Sequence, residues 1–415
     1  MTDDGWVDAL ADELDDRLAA DDAALAAAYP GQRGVRQPVH TVYVPADRFD
    51  AKTVAAWGEQ ALDVLDEHGS DPAGLAEVVG LPGDLVADLL PRVRAKLEAE
   101  PIEDLRVDLE DGYGTRPDEQ EDADVLAAAS ALAQSARPPY FGIRFKSFEA
   151  PTRRRGLRTL SRFVGALAAA GAVDDGLVVT LPKVTSVGQV EAMALACARL
   201  EERHGLGAGR LRFEIQVETP QSILGADGTA LVARMVHAAS GRCTGLHYGT
   251  YDYSASCGIA AEYQSMEHPA ADHAKAVMQA AAAGTGVFVS DGSTNVLPVG
   301  SRSEVHAAWA LHARLVRRSL VRGFYQGWDL HPAQLPTRYL ATYAFFRSGL
   351  PAAAARLRAY VEGGSSGYLD EPATAAALAG FVLRGVECGA VSLDEVDALI
   401  GVDRARLAAL ARRHA

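Results

Sequence analysis

The stretch FEIQVETP at 213–220, followed by HYGTYDY at 247–253, decides the predicted fold. Each run has the character of a short buried β-strand and leads into a carboxylate, Glu218 in the first run and Asp252 in the second. A charge at the end of a buried strand needs a partner, because an unpaired charge is costly to bury. Two such carboxylates on successive strands could share one divalent cation.

Outward from this stretch, strand patterns alternate with helical patterns at a spacing of about 35 residues, which is typical of βα repeats. The strand candidates lie at 39–45, 105–109, 140–145, 177–181, 211–217, 244–248, 286–289 and 323–328. Eight βα units predict a (β/α)8 TIM barrel, an α/β fold. An open doubly wound sheet is the alternative, but it would carry a Gly-rich phosphate loop after its first strand. The sequence has VPADR there, at 44–48.

Helical patterns flank the barrel on both sides. We predict an N-terminal helical extension at 1–38, a catalytic barrel domain at 39–336, and a C-terminal helical segment at 337–415 that acts as a lid or an oligomer contact. Apolar residues at 7, 10, 14, 18 and 25 have the period of an amphipathic helix. We expect a loop at 69–83 and one helix at 393–413, which begins at a capping box of Ser392 and Glu395.

Composition excludes several classes of protein. The 415 residues are 48% hydrophobic and 23% charged, with a formal net charge of −15. This acidic balance argues against nucleic-acid binding, which needs a basic surface. No apolar run is long enough to span a membrane, and the acidic N-terminus lacks the apolar core of a signal peptide. The four cysteines show no CxxC spacing, so reduced thiols in a cytoplasmic protein are expected.

Charged residues follow the predicted strands at the end where barrel enzymes place their functional groups. The candidates are Glu110, Asp111, Arg144, Lys183, Glu218 and Asp252. Oxygen ligands with few nitrogens suit Mg²⁺ or Mn²⁺ better than Zn²⁺. Arg144 can hold a carboxylate through a two-point fork. Taken alone, Glu218 and Asp252 would be interpreted as a helix cap and a turn residue.

Seven short motifs occur in order across the predicted barrel. They are VYVP at 42–45, DLED at 108–111, IR at 143–144, LPK at 181–183, VET at 217–219, GTYDY at 249–253 and LHPAQ at 330–334. Together they resemble the citrate lyase β-subunit and malyl-CoA lyase branch of the HpcH/HpaI aldolase superfamily. The family's Asn after its arginine motif is replaced by FKS at 145–147. The sequence shows no clear CoA-binding feature, so a CoA thioester substrate stays open.

The resemblance implies a Mg²⁺-dependent carbon–carbon lyase or aldolase that acts on a 2-oxo acid or a related small carboxylate. By resemblance, Glu218 and Asp252 ligate the metal, with Mn²⁺ as a substitute. Arg144 holds the substrate carboxylate, and Glu218 and Thr219 complete the substrate-binding set. A metal-stabilised enolate would form as the carbon–carbon bond breaks.

The proton transfer that such a reaction needs is less defined by the motifs. Glu110 and Asp111 are the candidates, since the resemblance places them near the metal. Lys183 would support the carboxylates electrostatically. In the related lyases an acid from the C-terminal segment of the same or a neighbouring subunit can enter the site, and by resemblance Asp370 and Glu371 are the candidates for that role.

Two other functions stay open. One is a malate synthase-like condensation or thioester hydrolysis at the same site. The other is a non-catalytic barrel that binds a metabolite, because binding alone needs only Glu218, Asp252 and Arg144. In every case the expected partners are a small carboxylate and further copies of the chain in a homo-oligomer, with no nucleic acid and no membrane.

Overall fold

The computed structural model describes residues 3–363 and 371–412. Its eight strands are all parallel and lie in the order β7-β6-β5-β4-β3-β2-β1-β8. They are β1 His40–Pro45, β2 Asp104–Asp108, β3 Tyr140–Arg144, β4 Val178–Leu181, β5 Arg212–Val217, β6 Cys243–Tyr248, β7 Phe288–Ser290 and β8 Gly327–Asp329. A parallel bridge between Ser290 and Gln326 joins the two ends of this order. The sheet therefore closes, and the predicted (β/α)8 barrel is confirmed.

Sixteen α-helices lie in the described residues. They are α1 Asp3–Ala28, α2 Thr53–Gly69, α3 Pro72–Val79, α4 Gly83–Ala99, α5 Asp118–Gln134, α6 Arg153–Ala169, α7 Val187–His204, α8 Pro220–Ile223, α9 Leu231–Ala238, α10 Thr250–Ser256, α11 Pro269–Ala282, α12 Arg302–Val321, α13 Leu335–Glu362, α14 Pro372–Glu387, α15 Leu393–Ile400 and α16 Arg404–Ala411. Within residues 3–363 and 371–412, none of them has the length and apolar character needed to cross a bilayer.

The inside of the barrel is polar. Side chains alternate between the two faces of a strand, so every second residue of a barrel strand points inward. The buried polar residues that share this spacing are Asp104, Arg106 and Asp108 on β2, and Glu214, Gln216 and Glu218 along β5 and just beyond it. The residues between them on β2, Leu105 and Val107, belong to the apolar core. The barrel thus carries charge from its N-terminal end to its C-terminal end.

The loop predicted at 69–83 is wrong, because α3 lies within it. Asp71 accepts hydrogen bonds from the backbone N–H groups of Ala73 and Gly74 and so caps this helix. Pro72 occupies its first turn, and Gly80 ends it at φ +64°. Asp–Pro followed by a glycine is a helix start and stop signal, and the short length of the helix obscured it.

The single helix predicted at 393–413 is also wrong, because two helices occupy that stretch. The capping box of Ser392 and Glu395 starts α15 as expected. Gly401 then ends α15 in the left-handed conformation at φ +76°. Asp403 starts α16 by accepting a hydrogen bond from the backbone N–H of Arg406.

The two helical extensions differ in how they meet the barrel. The amphipathic helix expected near the N-terminus is present as α1, but its apolar side chains are 37% to 61% exposed. At the other end, α13 runs unbroken from Leu335 to Glu362, so it is both the helix that follows β8 and the start of the C-terminal segment. It packs against α14 and α15, and α14 packs against α16.

Candidate functional site

The C-terminal ends of β2 to β6 bring the predicted site residues to one rim of the barrel. Arg144 is the last residue of β3. Glu110 and Asp111 follow β2, Lys183 follows β4, and Glu218 follows β5. Asp252 lies in the first turn of α10, which begins two residues after β6. Parallel strands place their ends on the same side, so residues far apart in sequence meet here.

Lys183 is the centre of this cluster. Its Nζ lies 3.1 Å from Glu110 Oε1, 2.8 Å from Asp111 Oδ2 and 2.6 Å from Asp252 Oδ2. Its backbone N–H donates to Glu218 Oε1 at 2.7 Å. One residue therefore contacts all four carboxylates that the sequence analysis selected. The pKa of the Lys183 ammonium is raised: burial opposes its charge, but Glu218 and Glu110 outweigh burial.

The backbone at Lys183 is strained in order to make these contacts. Its φ of +50° lies in the left-handed region, which costs a non-glycine residue on the order of 1 kcal/mol or more. Thr219 fixes the neighbouring loop, because its Oγ1 donates to the carbonyl of Val184 at 2.8 Å. The Thr219 hydroxyl is thus used to join the loops after β4 and β5, and it positions Glu218 against Lys183.

Arg144 contacts two carboxylates and an aromatic ring. Its Nε and Nη2 donate to the two oxygens of Asp108, both at 2.7 Å. Its Nη1 lies 3.7 Å from Glu110 Oε2. Its guanidinium carbon lies 4.7 Å from the centre of the Tyr43 ring. One edge of the predicted carboxylate fork is therefore occupied by Asp108, and Nη1 is the group left to meet a ligand.

Asp108 also shapes the loop that carries the acidic pair. Its Oδ1 accepts from the backbone N–H of Glu110 at 3.0 Å, and its Oδ2 accepts from that of Gly112 at 2.8 Å. A Cβ at position 112 would lie 2.6 Å from Asp108 Oδ2, so only glycine fits this turn. A single buried carboxylate thus sets both the arginine and the loop with Glu110.

Burial controls the protonation of Glu218. Its side chain is 2% exposed, and burial raises its pKa to about 7 although Lys183 and Arg144 oppose the shift. A Cβ at position 249 would lie 2.5 Å from Glu218 Cβ and 2.7 Å from its Oε2. Gly249 therefore lets β6 approach this carboxylate closely.

The acidic pair after β2 is split in its acidity. Burial raises the pKa of Glu110 to about 8, against the effect of Arg144, and Asp111 raises it further. For Asp111, burial alone would raise the pKa, but hydrogen bonds with Glu110 and Lys183 lower it below its usual value. Two neighbouring carboxyls with separated pKa values are typical of sites that move a proton.

Three further side chains below the rim have buried polar atoms without a hydrogen-bond partner among the described residues. They are Tyr43 Oη, both amide atoms of Gln216, and Trp328 Nε1. The Tyr43 and Trp328 rings lie 4.9 Å apart, and Tyr43 also contacts Arg144. Buried polar atoms normally have partners, so this layer suits a polar ligand or water. Sequence analysis missed it, although the inward spacing of Gln216 and Glu218 signals it.

The donor set fits a hard divalent cation in its chemistry. Carboxylate oxygens are the ligands that Mg²⁺ and Mn²⁺ prefer. In the described part of the chain the five carboxylates of the site, Asp108 included, contact two cationic residues, Lys183 and Arg144. In residues 3–363 and 371–412 no group of three or more His, Cys, Asp or Glu side chains is arranged as a metal site. The Lys183 ammonium supplies the positive charge between Glu110, Asp111 and Asp252 that a metal ion would supply.

The candidate acid from the C-terminal segment lies elsewhere in this chain. Asp370 falls outside the described residues. Glu371 is exposed and precedes α14 as its N-cap residue. Residues of α14 line a cavity with Phe288, the first residue of β7, so α14 lies at the N-terminal end of the barrel. Glu371 therefore lies away from the rim residues of its own chain.

Comparison with solved structures supports the architecture. A citrate lyase from Burkholderia xenovorans LB400 is 17% identical and superposes with a TM-score of 0.59 over 88% of this chain and 99% of that chain. The Mycobacterium tuberculosis citrate lyase beta subunit complexed with oxaloacetate and magnesium is 18% identical, with a TM-score of 0.43 over 74% and 98%. A Haloferax volcanii malate synthase is 16% identical, with a TM-score of 0.48 over 92% and 99%. The first of these superpositions shows that the chain shares the barrel fold of that citrate lyase.

Sequence comparison gives a family without a function. No curated protein matches the chain. A family model described as a domain of unknown function, DUF6986, matches residues 18–415. The match spans the barrel and most of both helical extensions, and the chain therefore belongs to the DUF6986 family.

Proposed function

We propose that this protein is a Mg²⁺-dependent carbon–carbon lyase or aldolase that acts on a 2-oxo acid or a related small carboxylate. The observation that carries the proposal is the cluster of four carboxylates around Lys183, at the rim where barrel enzymes bind substrates: Glu110, Asp111 and Asp252 contact its ammonium, and Glu218 accepts from its backbone N–H. The same rim carries Arg144 as a group that can bind an anion. Further support comes from the solved relatives, of which one was crystallised with oxaloacetate and magnesium.

In this proposal Glu218 and Asp252 would hold the metal, which would supply positive charge for the substrate oxygen that becomes negative as the bond breaks. Arg144 would bind the substrate carboxylate through Nη1, because Asp108 already holds its other edge. Tyr43 would support the arginine from below with its ring. Thr219 acts indirectly, through the loop that it fixes.

Glu110 is the group best suited to move the proton. The carbon that carries negative charge after cleavage must receive one proton, and a donor with a pKa near the working pH is the most effective. With its pKa raised to about 8, the Glu110 carboxyl is protonated near neutral pH. Asp111, whose pKa is lowered, stays ionised beside Lys183. CoA involvement remains open in this proposal, although another relative was solved with magnesium, acetoacetate and coenzyme A.

Calorimetric binding of pyruvate and oxaloacetate tests the proposal, first with Mg²⁺ and then with a chelator. Binding is expected with Mg²⁺ only, and Glu218→Gln should abolish it while the fold is retained. Glu267→Gln is the matched control, because Glu267 pairs with Arg314 at the surface. No binding of either acid in either condition would overturn the lyase proposal, and unchanged binding by Glu218→Gln would overturn the metal assignment.

A further inference from the structure

A cavity lies at the N-terminal end of the barrel, opposite the rim that carries the candidate site. It has a volume of about 330 Å³ and is lined by inward residues of β2, β5 and β6 together with the segment before β1. Glu214 lines this cavity, whereas Glu218 belongs to the candidate site. Four residues of a strand span about 13 Å. The two places are therefore separate, and the proposed function uses no group of this cavity.

The inner wall of the cavity carries acids that are already committed. Arg106 donates to both Glu214 oxygens, at 3.1 Å and 2.7 Å, and it also binds Asp104. Thr41 donates to Asp104 at 2.8 Å, and Thr180 donates to Glu214. Both acids are neutralised by Arg106 and hydrogen-bonded by the threonines. They therefore offer little repulsion to an anion that stays near the mouth of the cavity.

The mouth of the cavity is rich in guanidinium groups. Arg33 and Arg212 line it, with Asp175 as the nearby acid. Arg212 lies 3.3 Å from Asp175, which also pairs with Arg210 at 2.5 Å. Arg33 has no carboxylate within 4.0 Å in the described ranges, and it donates only to the carbonyl of Cys243. Burial lowers the pKa of Arg33, and the charge of Arg212 lowers it further.

His247 also lines the cavity, and its ring is held by Glu214. The side chain is 2% exposed, and its Nε2 lies 3.1 Å from Glu214 Oε2. Because a carboxylate only accepts, Nε2 carries the proton, and Nδ1 of the neutral ring is an acceptor. Nδ1 has no partner among the described residues. Because this nitrogen is itself inaccessible to solvent, a ligand in the cavity meets the guanidinium groups at the mouth and not the imidazole acceptor.

From this arrangement we propose that the cavity is a binding site for a small anion, with its carboxylate or phosphate group on Arg33 and Arg212. The planar guanidinium of Arg33 suits both anion types, because its Nε and Nη1 groups are uncommitted in the described structure. Carboxylate and phosphate share this chemistry, so the test uses one probe of each type.

Calorimetry with malate and with sn-glycerol 3-phosphate, both in a chelator, tests the proposal. At least one probe is expected to bind the wild-type protein. The same probe should bind Glu218→Gln equally well, because the site needs no metal. Arg33→Gln should weaken binding at least tenfold, since glutamine can still donate to Cys243 but carries no charge. Arg314→Gln, at a surface pair with Glu267, is the control and should bind as wild type does.

A second variant protects the test against a folding defect in the first. Val35 lines the cavity and is 43% exposed, so Val35→Trp should block the mouth without disturbing the core. Val321→Trp, at a position that is 76% exposed, is its control. Loss of binding in Val35→Trp supports the proposal. Failure of both probes to bind the wild-type protein, or normal binding by Val35→Trp, overturns it.

Discussion

Lys183 is the residue on which the candidate site depends most. Its ammonium is shared by Glu110, Asp111 and Asp252, and its backbone holds Glu218. A cation in the middle of a carboxylate cluster has two effects. It stabilises the cluster when no metal is bound, and it competes with a metal for the same oxygens. Both effects can be measured by removing its charge.

We therefore predict that Lys183→Met lowers the free energy of unfolding by about 1–3 kcal/mol in a chelator at pH 8, because partly buried carboxylates lose their partner. Added Mg²⁺ should restore most of this loss, and the Mg²⁺ affinity should exceed that of wild type. Urea unfolding with and without Mg²⁺ measures this. Lys96→Met, which breaks a pair with Glu100 and Glu103 elsewhere, should be destabilised without any Mg²⁺ rescue. Equal rescue of both variants would contradict the assignment.

The acidity of Glu218 predicts how metal binding changes with pH. Its pKa is raised to about 7, so at lower pH a metal must displace a proton from it. The Mg²⁺ affinity should thus rise through pH 7 and fall about tenfold for each pH unit well below it. Calorimetric titration with Mg²⁺ measures this at several pH values between about 5.5 and 8.5, which is about one and a half units on each side of the pKa. An affinity that stays constant across this range would exclude Glu218 as a ligand.

At the scale of elements, strand ends fix the site through close backbone approaches. Gly249, just after β6, lies so near Glu218 that a Cβ would overlap it at 2.5 Å. We predict that Gly249→Ala displaces Glu218 and weakens Mg²⁺ binding at least tenfold, about 1.4 kcal/mol or more, while the barrel still forms. Calorimetry and circular dichroism measure the two effects. Gly188→Ala, in α7, meets no atom closer than 4.0 Å and is the control. Normal Mg²⁺ binding by Gly249→Ala would contradict this role.

Among the helices and strands, sequence patterns predicted some elements and missed others. All eight strands were predicted because short strand patterns recur at the spacing of a βα repeat. The helix α3 was missed, although Asp71, Pro72 and Gly80 signal its start and its end. The split of the last helical segment was missed, although Gly401 and Asp403 are stop and start signals for helices.

For the site, the predicted residues do lie together, but their contacts could not be predicted from the sequence. Nothing in the motif LPK indicates that Lys183 adopts a left-handed conformation and reaches three carboxylates. Likewise, the fork of Arg144 is shared with Asp108, which a carboxylate-binding prediction did not include. Such contacts depend on the relative position of strands, which the sequence of one strand does not contain.

At the scale of the whole molecule, the barrel is held by charge inside as well as by apolar packing outside. Arg106 pairs with Asp104 on its own strand β2 and with Glu214 on β5, and all three are nearly inaccessible to solvent. Burial raises the pKa of Asp104 to about 6, in spite of Arg106. The interior therefore depends on this one guanidinium to balance two acids.

We predict that Arg106→Met costs about 3–5 kcal/mol of unfolding free energy at pH 8, the usual cost of leaving a buried charge without its partner. The cost should be smaller at pH 5. A carboxyl whose pKa is raised by folding binds a proton more tightly in the folded protein than in the unfolded chain. The stability of the folded protein therefore falls as the pH rises. Urea unfolding at both pH values measures this. Arg314→Met, at an exposed pair, should change stability by less than about 1 kcal/mol. A similar small cost for Arg106→Met would contradict this account.

In the proposed reaction the rim cluster binds a metal and a 2-oxo acid so that a carbanion-like charge can form. Proton NMR of pyruvate in D₂O tests it most directly, because exchange of the methyl protons for deuterium requires that charge to form. The account predicts exchange that needs both the protein and Mg²⁺, that stops in Glu218→Gln, and that slows about a hundredfold or more in Glu110→Gln. If the protein binds Mg²⁺ and pyruvate, yet exchange is no faster than without protein, the claim is contradicted.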